Sequence, residues 1–86
     1  MSVSELAGRR ILITGGACGM GEGLVRSRTG MGALVVSMDL NRERGEAVAK
    51  AAGARGFMEV DVADEGSVAG AVDAACTRLG GLDVLI

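Results

Sequence analysis

The sequence predicts an α/β fold in which about four parallel strands and three helices form three layers, α/β/α. Short runs of branched apolar residues alternate with segments of helical periodicity. Each helical segment lies between two strands, and such βαβ crossovers are right-handed and make the strands they connect parallel. The second apolar run is almost free of polar residues, which is typical of a strand buried on both faces.

The first predicted strand leads directly into a glycine-rich loop and a helix. The strand covers residues 10–13, and the loop follows at once. Apolar residues at helical spacing, namely Met20, Leu24 and Met31, predict a first helix over about residues 20–31. Arg28 falls where this helix should present an apolar side chain. Because a buried, unpaired guanidinium would cost several kcal/mol, we expect Arg28 to extend outward rather than to weaken the helix.

A buried strand and a second helix follow. The strand covers residues 33–38 and ends at Asp39. Asparagine is favoured at helix N-caps and glycine just after helix ends, so Asn41 and Gly53 predict a helix that runs to about Ala52. The residues predicted on its inner side are Ala47, Val48 and Ala51.

A third strand, a third helix and a fourth strand complete the pattern. The third strand is predicted over residues 56–60, and Asp64 caps a helix that ends before Gly80. The apolar stripe of this helix consists of Val68, Val72, Ala75 and Leu79. The fourth strand covers residues 82–86. If it returns beside the first strand, two helices cover one face of the sheet and one helix covers the other.

Composition excludes several classes of function. The 86 residues include 9 basic and 11 acidic side chains and neither tyrosine nor tryptophan, which argues against a nucleic-acid partner. The longest apolar runs are far below the roughly 18–20 residues that cross a bilayer, so no membrane partner is expected. The cysteines, Cys18 and Cys76, stand in a chain without histidine, so we expect no metal site, free thiols and a cytoplasmic location.

The loop after the first strand carries glycines at a spacing that suits phosphate binding. The spacing is Thr14-Gly15-x-x-x-Gly19-x-Gly21. Gly15 lets the chain turn off the strand, Gly19 lets the backbone approach a pyrophosphate, and Gly21 lets the helix pack closely on the strand. The helix N-terminus then offers unpaired N–H groups to the phosphates. The alternative for the loop alone is a plain turn between strand and helix.

Acidic residues end the second and third strands. Asp39 lies 24 residues after Gly15, where a carboxylate can accept both hydroxyls of an adenosine ribose and repel a 2′-phosphate, which favours NAD over NADP. Arg42 and Arg44 follow closely and could soften that preference. At the end of the third strand, Asp61 can accept a hydrogen bond from adenine while Val62 packs on its ring. For both aspartates, a capping or turn role is the alternative.

These motifs resemble the short-chain dehydrogenase/reductase family over nearly the whole chain. The family's Thr-Gly-x-x-x-Gly-x-Gly pattern is intact, Leu6-x-Gly8-Arg9 resembles its lead-in, and the later acidic residues and fourth strand follow in its order. The resemblance implies a Rossmann-like fold, present in part, and NAD(P)-dependent hydride transfer between alcohols and ketones. The predicted cofactor-binding residues are Gly15, Cys18, Gly19, Met20, Gly21, Asp39, Leu40, Asp61 and Val62.

The resemblance also indicates what this chain lacks. The family's catalytic serine and Tyr-x-x-x-Lys pair follow a strand like residues 82–86, whereas this sequence has no tyrosine and its single lysine is Lys50 on the second helix. No catalytic residue is therefore assigned. We expect residues 1–86 to be the truncated N-terminal portion of one dinucleotide-binding domain, inactive alone, from a homo-oligomeric parent that acts on a small alcohol or ketone. The alternatives are a non-catalytic dinucleotide-binding module and an inactive truncated product.

Overall fold

A computed structural model describes residues 7–61 and 63–86, and this part of the chain forms four strands and three helices. In chain order these elements are β1 (Arg10–Thr14), α1 (Gly19–Gly30), β2 (Leu34–Asp39), α2 (Arg42–Ala52), β3 (Gly56–Glu59), α3 (Glu65–Leu79) and β4 (Val84–Leu85). All three strand pairings are parallel, and the order across the sheet is β3-β2-β1-β4. The predicted α/β class and the return of the fourth strand beside the first are confirmed.

The side chains of β1 enter two separate cores because successive residues of a strand point to opposite faces. Ile11 and Ile13 pack with Val25 of α1 and Val48 of α2. Leu12 packs on the other face, against the buried alanines of α3. Two helices therefore cover one face and one helix covers the other, as predicted. Burial on both faces also explains why the central strands read as continuous apolar runs.

The helix caps follow the prediction. The side chain of Asn41 accepts a hydrogen bond of 3.0 Å from the Arg44 amide, and that of Asp64 accepts one of 3.2 Å from the Ser67 amide. The stripe predicted on α3 contributes to its core: Ala75 is buried, and Val68, Val72 and Leu79 pack against it. Among the described residues, no helix combines the length and hydropathy needed to cross a bilayer.

The inner face of α2 differs from the prediction at two positions. Ala47 and Ala51 are exposed. The residues that are buried or pack inward are Gly45, Val48, Ala49 and Ala52, which lie at helical spacing from one another. Gly45 lies against the Phe57 ring so closely that a Cβ atom at this glycine would overlap it. Sequence reasoning missed this register because a glycine adds nothing to an apolar stripe.

Helix α1 buries little apolar surface. Val25 is its buried residue, whereas Met20, expected on the apolar side, is 84% exposed. Met20 lies in the first turn, where the helix N-terminus borders the glycine loop. Arg28 is half-buried, and its Nη1 atom donates a 3.1 Å hydrogen bond to Ser27 Oγ at the surface. The expected outward orientation of Arg28 is therefore present.

The strand β4 lies at the edge of the sheet and is shorter than the predicted residues 82–86. Hydrogen bonds on both sides of it nevertheless continue the pairing with β1: Asp83 N donates to Arg10 O at 2.8 Å, and Ile86 N donates to Leu12 O at 2.9 Å. The prediction of strand pairing over this segment is thus correct, although regular strand geometry is confined to its centre.

An ion pair between Arg10 and Asp83 connects the start of β1 to the segment before β4. The Asp83 carboxylate accepts hydrogen bonds from Arg10 Nε and Nη2, both at 3.0 Å, and from the Arg10 backbone amide at 2.9 Å. Arg10 Nη1 also donates to the Gly80 carbonyl at 2.9 Å. The side-chain hydrogen bonds from Arg10, followed by its backbone amide, lower the pKa of Asp83 from 3.8 to about 2.

We expect Asp83→Asn in the full-length protein to remove a pH-dependent part of the stability. The pKa of Asp83 is lower in the folded state, so the unfolded state binds more protons, and the stabilisation is present above pH 3.8 and lost as the pH falls towards 2. The difference in urea midpoint between wild type and variant should therefore shrink between pH 5 and pH 2.5. Asp73→Asn, at an exposed position on α3, is the control. A difference that stays constant with pH would contradict a role for the ion pair.

Candidate functional site

The loop between β1 and α1 is built on backbone conformations that favour glycine. Gly15 has a φ of 69° and Gly19 a φ of 60°, both in the left-handed region. The Gly15 amide donates a 2.8 Å hydrogen bond to the Met38 carbonyl, which holds the turn against the carboxyl end of β2. No atom lies within 4 Å of the position that a Cβ atom of Gly19 would occupy. The turn predicted at Gly15 is present, and the backbone at Gly19 borders open space.

The start of α1 packs directly on the end of β1 at Gly21. A Cβ atom at this position would overlap the carbonyl oxygen of Gly15. The first amide groups of a helix have no partner within it and carry partial positive charge, so a helix N-terminus attracts anions. Because Gly21 permits the close approach, the N-terminus of α1 lies at the carboxyl end of β1. This is the arrangement that a dinucleotide pyrophosphate requires.

Asp39 connects the glycine loop to the start of α2. Its Oδ2 atom accepts a 3.1 Å hydrogen bond from the Ala17 amide, and its Oδ1 atom accepts one of 3.0 Å from the Asn41 amide. The second bond is the turn role weighed as the alternative for this residue. The first, which the sequence did not predict, fixes the carboxylate beside the loop. Asp39 is half-buried, so a face remains accessible.

A cleft of about 300 Å³ opens at the carboxyl ends of the first three strands. Its lining residues are Thr14, Gly15, Asp39, Leu40, Val60 and Asp61. In open parallel sheets, ligands bind outside the carboxyl ends of the strands. The volume lies at the lower end for small-molecule pockets, so the cleft suits one portion of a dinucleotide. Leu40, 67% exposed, adds an apolar surface of the kind an adenine ring packs on.

Of the other predicted site residues, four are not among those that line the cleft, and one lies outside the described residues. Cys18, Gly19 and Met20 are exposed at the head of α1, and Gly21 follows them in the first turn. Val62 lies outside the described residues. The Asp61 carboxylate also has a turn role, because it accepts a 2.9 Å hydrogen bond from the Ala63 amide.

Two cleft residues were absent from the predicted set. Thr14 begins the glycine motif, and its Oγ1 atom donates a 2.9 Å hydrogen bond to the Ile86 carbonyl. Val60 is buried and follows β3 directly. Both could have been found from the rule that ligands lie at strand ends, since each stands where a predicted strand gives way to a loop.

The two arginines that follow Asp39 are held by carboxylates. Arg42 Nη1 donates to Glu46 at 2.7 Å, and its Nε donates to Glu59 at 3.2 Å. Arg44 Nε donates to the Ala17 carbonyl at 3.0 Å, and its Nη2 donates to Glu22 at 2.7 Å. Asp39 and Arg44 thus contact the same loop residue, Asp39 through the Ala17 amide and Arg44 through the Ala17 carbonyl.

The geometry agrees with a comparison against known protein families. The family model described as short chain dehydrogenase matches residues 9–86. The chain belongs to the short-chain dehydrogenase family. Its glycine loop, Asp39 and the cleft at the strand ends therefore lie within the N-terminal portion of a short-chain dehydrogenase fold.

Individual short-chain dehydrogenases match nearly all of this chain. The chain is 38% identical over 82 residues to a 2,5-dichloro-2,5-cyclohexadiene-1,4-diol dehydrogenase of Sphingobium indicum, covering 94% of the chain and 33% of that protein. It is 43% identical over 83 residues to a 3-alpha-(or 20-beta)-hydroxysteroid dehydrogenase of Mycobacterium tuberculosis, covering 95% of the chain and 32% of that protein. The chain thus spans about a third of the length of the curated relatives it matches.

Solved structures of the family superpose closely on this fold. A short chain dehydrogenase from Burkholderia cenocepacia in complex with NADP has a TM-score of 0.87 and 35% identity, covering 93% of this chain and 35% of its own. A 3-ketoacyl-(acyl-carrier-protein) reductase from Brucella melitensis complexed with NADH has a TM-score of 0.88 and 36% identity, covering 93% and 34%. One relative thus holds NADP and the other NADH, on the same fold.

Proposed function

We propose that the protein containing this chain is an NAD(P)-dependent oxidoreductase that interconverts an alcohol and a ketone, and that this chain is its cofactor-binding portion. The observation that carries the proposal is the close approach of α1 to the end of β1 at Gly21, which places a helix N-terminus against Gly15, a residue that lines the cleft. Membership of the short-chain dehydrogenase family supports the reaction class. The bound nicotinamide supplies hydride acceptance or donation.

Each proposed contact of this chain binds or orients the cofactor. The N-terminal amides of α1, from Gly19 to Gly21, bind the pyrophosphate, with Cys18 and Met20 beside it. Asp39 accepts the ribose hydroxyls, next to the turn at Gly15. Leu40 and Asp61 lie around the adenine, and Val62, the next residue in the sequence, is assigned to the same part of the site. Family membership and the open cleft support this assignment, and no step of proton transfer falls to a residue of this chain.

We also propose that NAD is preferred over NADP. The Asp39 carboxylate lines the cleft and would repel a 2′-phosphate. A nearby arginine could offset this repulsion, but Arg42 and Arg44 are engaged by the carboxylates of Glu46, Glu59 and Glu22. The charge that a 2′-phosphate would meet is therefore negative, which supports the preference for NAD.

The proposal is tested by cofactor binding to the full-length protein. Titration with NADH and NADPH, followed by the fluorescence of the reduced nicotinamide, should give a Kd for NADH that is lower by about tenfold or more, equivalent to about 1.4 kcal/mol. A panel of secondary alcohols should then reduce NAD. Absence of binding by either dinucleotide would contradict the cofactor site, and tighter binding of NADPH would contradict the preference.

We expect residues 1–86 alone to reduce no NAD with any alcohol, while the full-length protein does. The chain contains no tyrosine to act as the family's acid or base. In this proposal the chain is the N-terminal portion of one dinucleotide-binding domain, and the parent is a cytoplasmic homo-oligomer with a small alcohol or ketone as substrate. Absorbance at 340 nm measures the turnover. NAD reduction by the 86-residue chain would contradict the proposal that proton transfer depends on residues of the full-length protein outside this chain.

A further inference from the structure

The first turn of α1 and the first turn of α2 are joined across the glycine loop by a charged cluster. Glu22 accepts a 2.7 Å hydrogen bond from Arg44 Nη2 on one oxygen and a 3.0 Å hydrogen bond from Arg26 Nε on the other. The hydrogen bonds from Arg26 and Arg44 lower the pKa of Glu22, so the carboxylate is ionised at neutral pH. Its side chain is 19% exposed, which limits the competition of water for these bonds.

Arg44 also touches the loop residue that Asp39 holds. Arg44 Nε donates to the Ala17 carbonyl at 3.0 Å, while the Ala17 amide donates to Asp39 at 3.1 Å. The guanidinium and the proposed ribose-binding carboxylate are therefore neighbours of the same residue. An arginine this close to the ribose subsite is within reach of a 2′-phosphate unless another group holds it, because guanidinium binds phosphate and carboxylate in the same manner.

We propose that Glu22 is a specificity-determining residue, which discriminates against NADP by holding the Arg44 guanidinium on the glycine loop and away from the adenosine ribose. The inference rests on the proposed function, since it requires a dinucleotide whose ribose lies beside Asp39. Glu22 acts without contacting the ribose: it removes the positive charge that a 2′-phosphate would need. Discrimination then has two parts, repulsion by Asp39 and withdrawal of Arg44.

The test is the ratio of Kd for NADPH to Kd for NADH in the full-length protein with Glu22→Gln. Glutamine keeps the size of the side chain but loses its charge, which replaces the ion pair with a weaker neutral hydrogen bond and lets Arg44 turn towards a 2′-phosphate. We expect the ratio to fall by about tenfold, the effect of one charge-assisted hydrogen bond gained by NADPH. An unchanged ratio, in a variant whose NADH affinity is retained, would overturn the inference.

Three further variants identify the cause. In Glu22→Gln combined with Arg44→Ala, the fall in ratio should disappear; if it persists, the loss of negative charge alone explains it, and the inference is wrong. Arg26→Ala removes the other ion pair of Glu22 without releasing Arg44 and should leave the ratio unchanged. Arg44→Ala alone should weaken both dinucleotides alike, because the loop loses its contact at Ala17. A changed ratio of Kd for NADPH to Kd for NADH in Arg26→Ala or in Arg44→Ala would also contradict the inference.

The wild-type protein separates this inference from the proposed function. If the wild type binds neither dinucleotide, the cofactor site itself is wrong and the inference falls with it. If the wild type prefers NADH and Glu22→Gln keeps the same ratio, the cofactor site stands and only the role of Glu22 is rejected. Circular dichroism checks that the Glu22→Gln variant is folded. If this variant does not fold, the ratio measured with Arg44→Ala tests the inference instead.

Discussion

Gly21→Ala is expected to lower both the stability and the cofactor affinity of the full-length protein. The added Cβ atom would overlap the Gly15 carbonyl oxygen, a backbone atom that cannot rotate away. Helix α1 must therefore move off β1, at a cost of about 2–3 kcal/mol in the free energy of unfolding. The phosphate-binding amides move with it, so NADH affinity should fall by about tenfold or more. Urea unfolding and NADH titration measure the two effects.

Gly23→Ala is the matched control on the same helix. Gly23 is exposed, and no atom lies within 4 Å of the position of its Cβ atom. Alanine should therefore stabilise α1 by about 0.5–1 kcal/mol, because glycine is the poorer helix former. NADH affinity should not change. If Gly21→Ala behaved like Gly23→Ala, the close approach of helix and strand would not be required for binding.

Asp39→Ala is expected to lower the ratio of Kd for NADPH to Kd for NADH by about a hundredfold. Close approach of like charges costs several kcal/mol at an interface, and the alanine removes the carboxylate that a 2′-phosphate would meet. The variant also loses the hydrogen bonds to the amides of Ala17 and Asn41, so the protein should be less stable by about 2 kcal/mol. Fluorescence titration with the two reduced dinucleotides measures the ratio.

Asp61→Ala distinguishes cofactor discrimination from a general effect of charge in the cleft. Asp61 lines the same cleft at the end of the next strand. Its proposed contact is with the adenine, which NADH and NADPH share, so both dinucleotides should bind more weakly and the ratio should stay constant. An unchanged ratio in Asp39→Ala would instead mean that Asp39 is a turn residue only.

The alternation of strands and helices could be predicted because periodicity reports burial. The continuous apolar run of β2 and the stripe of α3 each correspond to side chains packed in a core. Periodicity failed on α2, where Gly45 faces inward against Phe57 and shifts the buried face away from Ala47 and Ala51. The fit between a glycine and an aromatic ring depends on how α2 sits on β3, which no local pattern encodes.

The candidate site, like the fold, was predicted only in part from the sequence. The spacing of the glycines predicted the turn at Gly15 and the close approach at Gly21, because each has a local steric cause. The contact of Arg44 with Glu22 could not be predicted, since the two residues are 22 positions apart and meet only when α2 packs beside the glycine loop. Sequence reasoning therefore recovers the phosphate-binding backbone but not the charges arranged around it.

Because β1 is paired on both sides within the sheet, the part of the site attached to it should be the last to unfold locally. Its Ile11, Leu12 and Ile13 side chains are buried, and its backbone pairs with β2 on one side and β4 on the other. In residues 1–86 alone, the amides of β1 should therefore exchange with deuterium more slowly than those of β4, whose side chains are exposed and which pairs with β1 only on one side within the described sheet. The glycine loop begins at the end of this slowly exchanging strand, so local opening of β4 in residues 1–86 leaves the start of the loop in place.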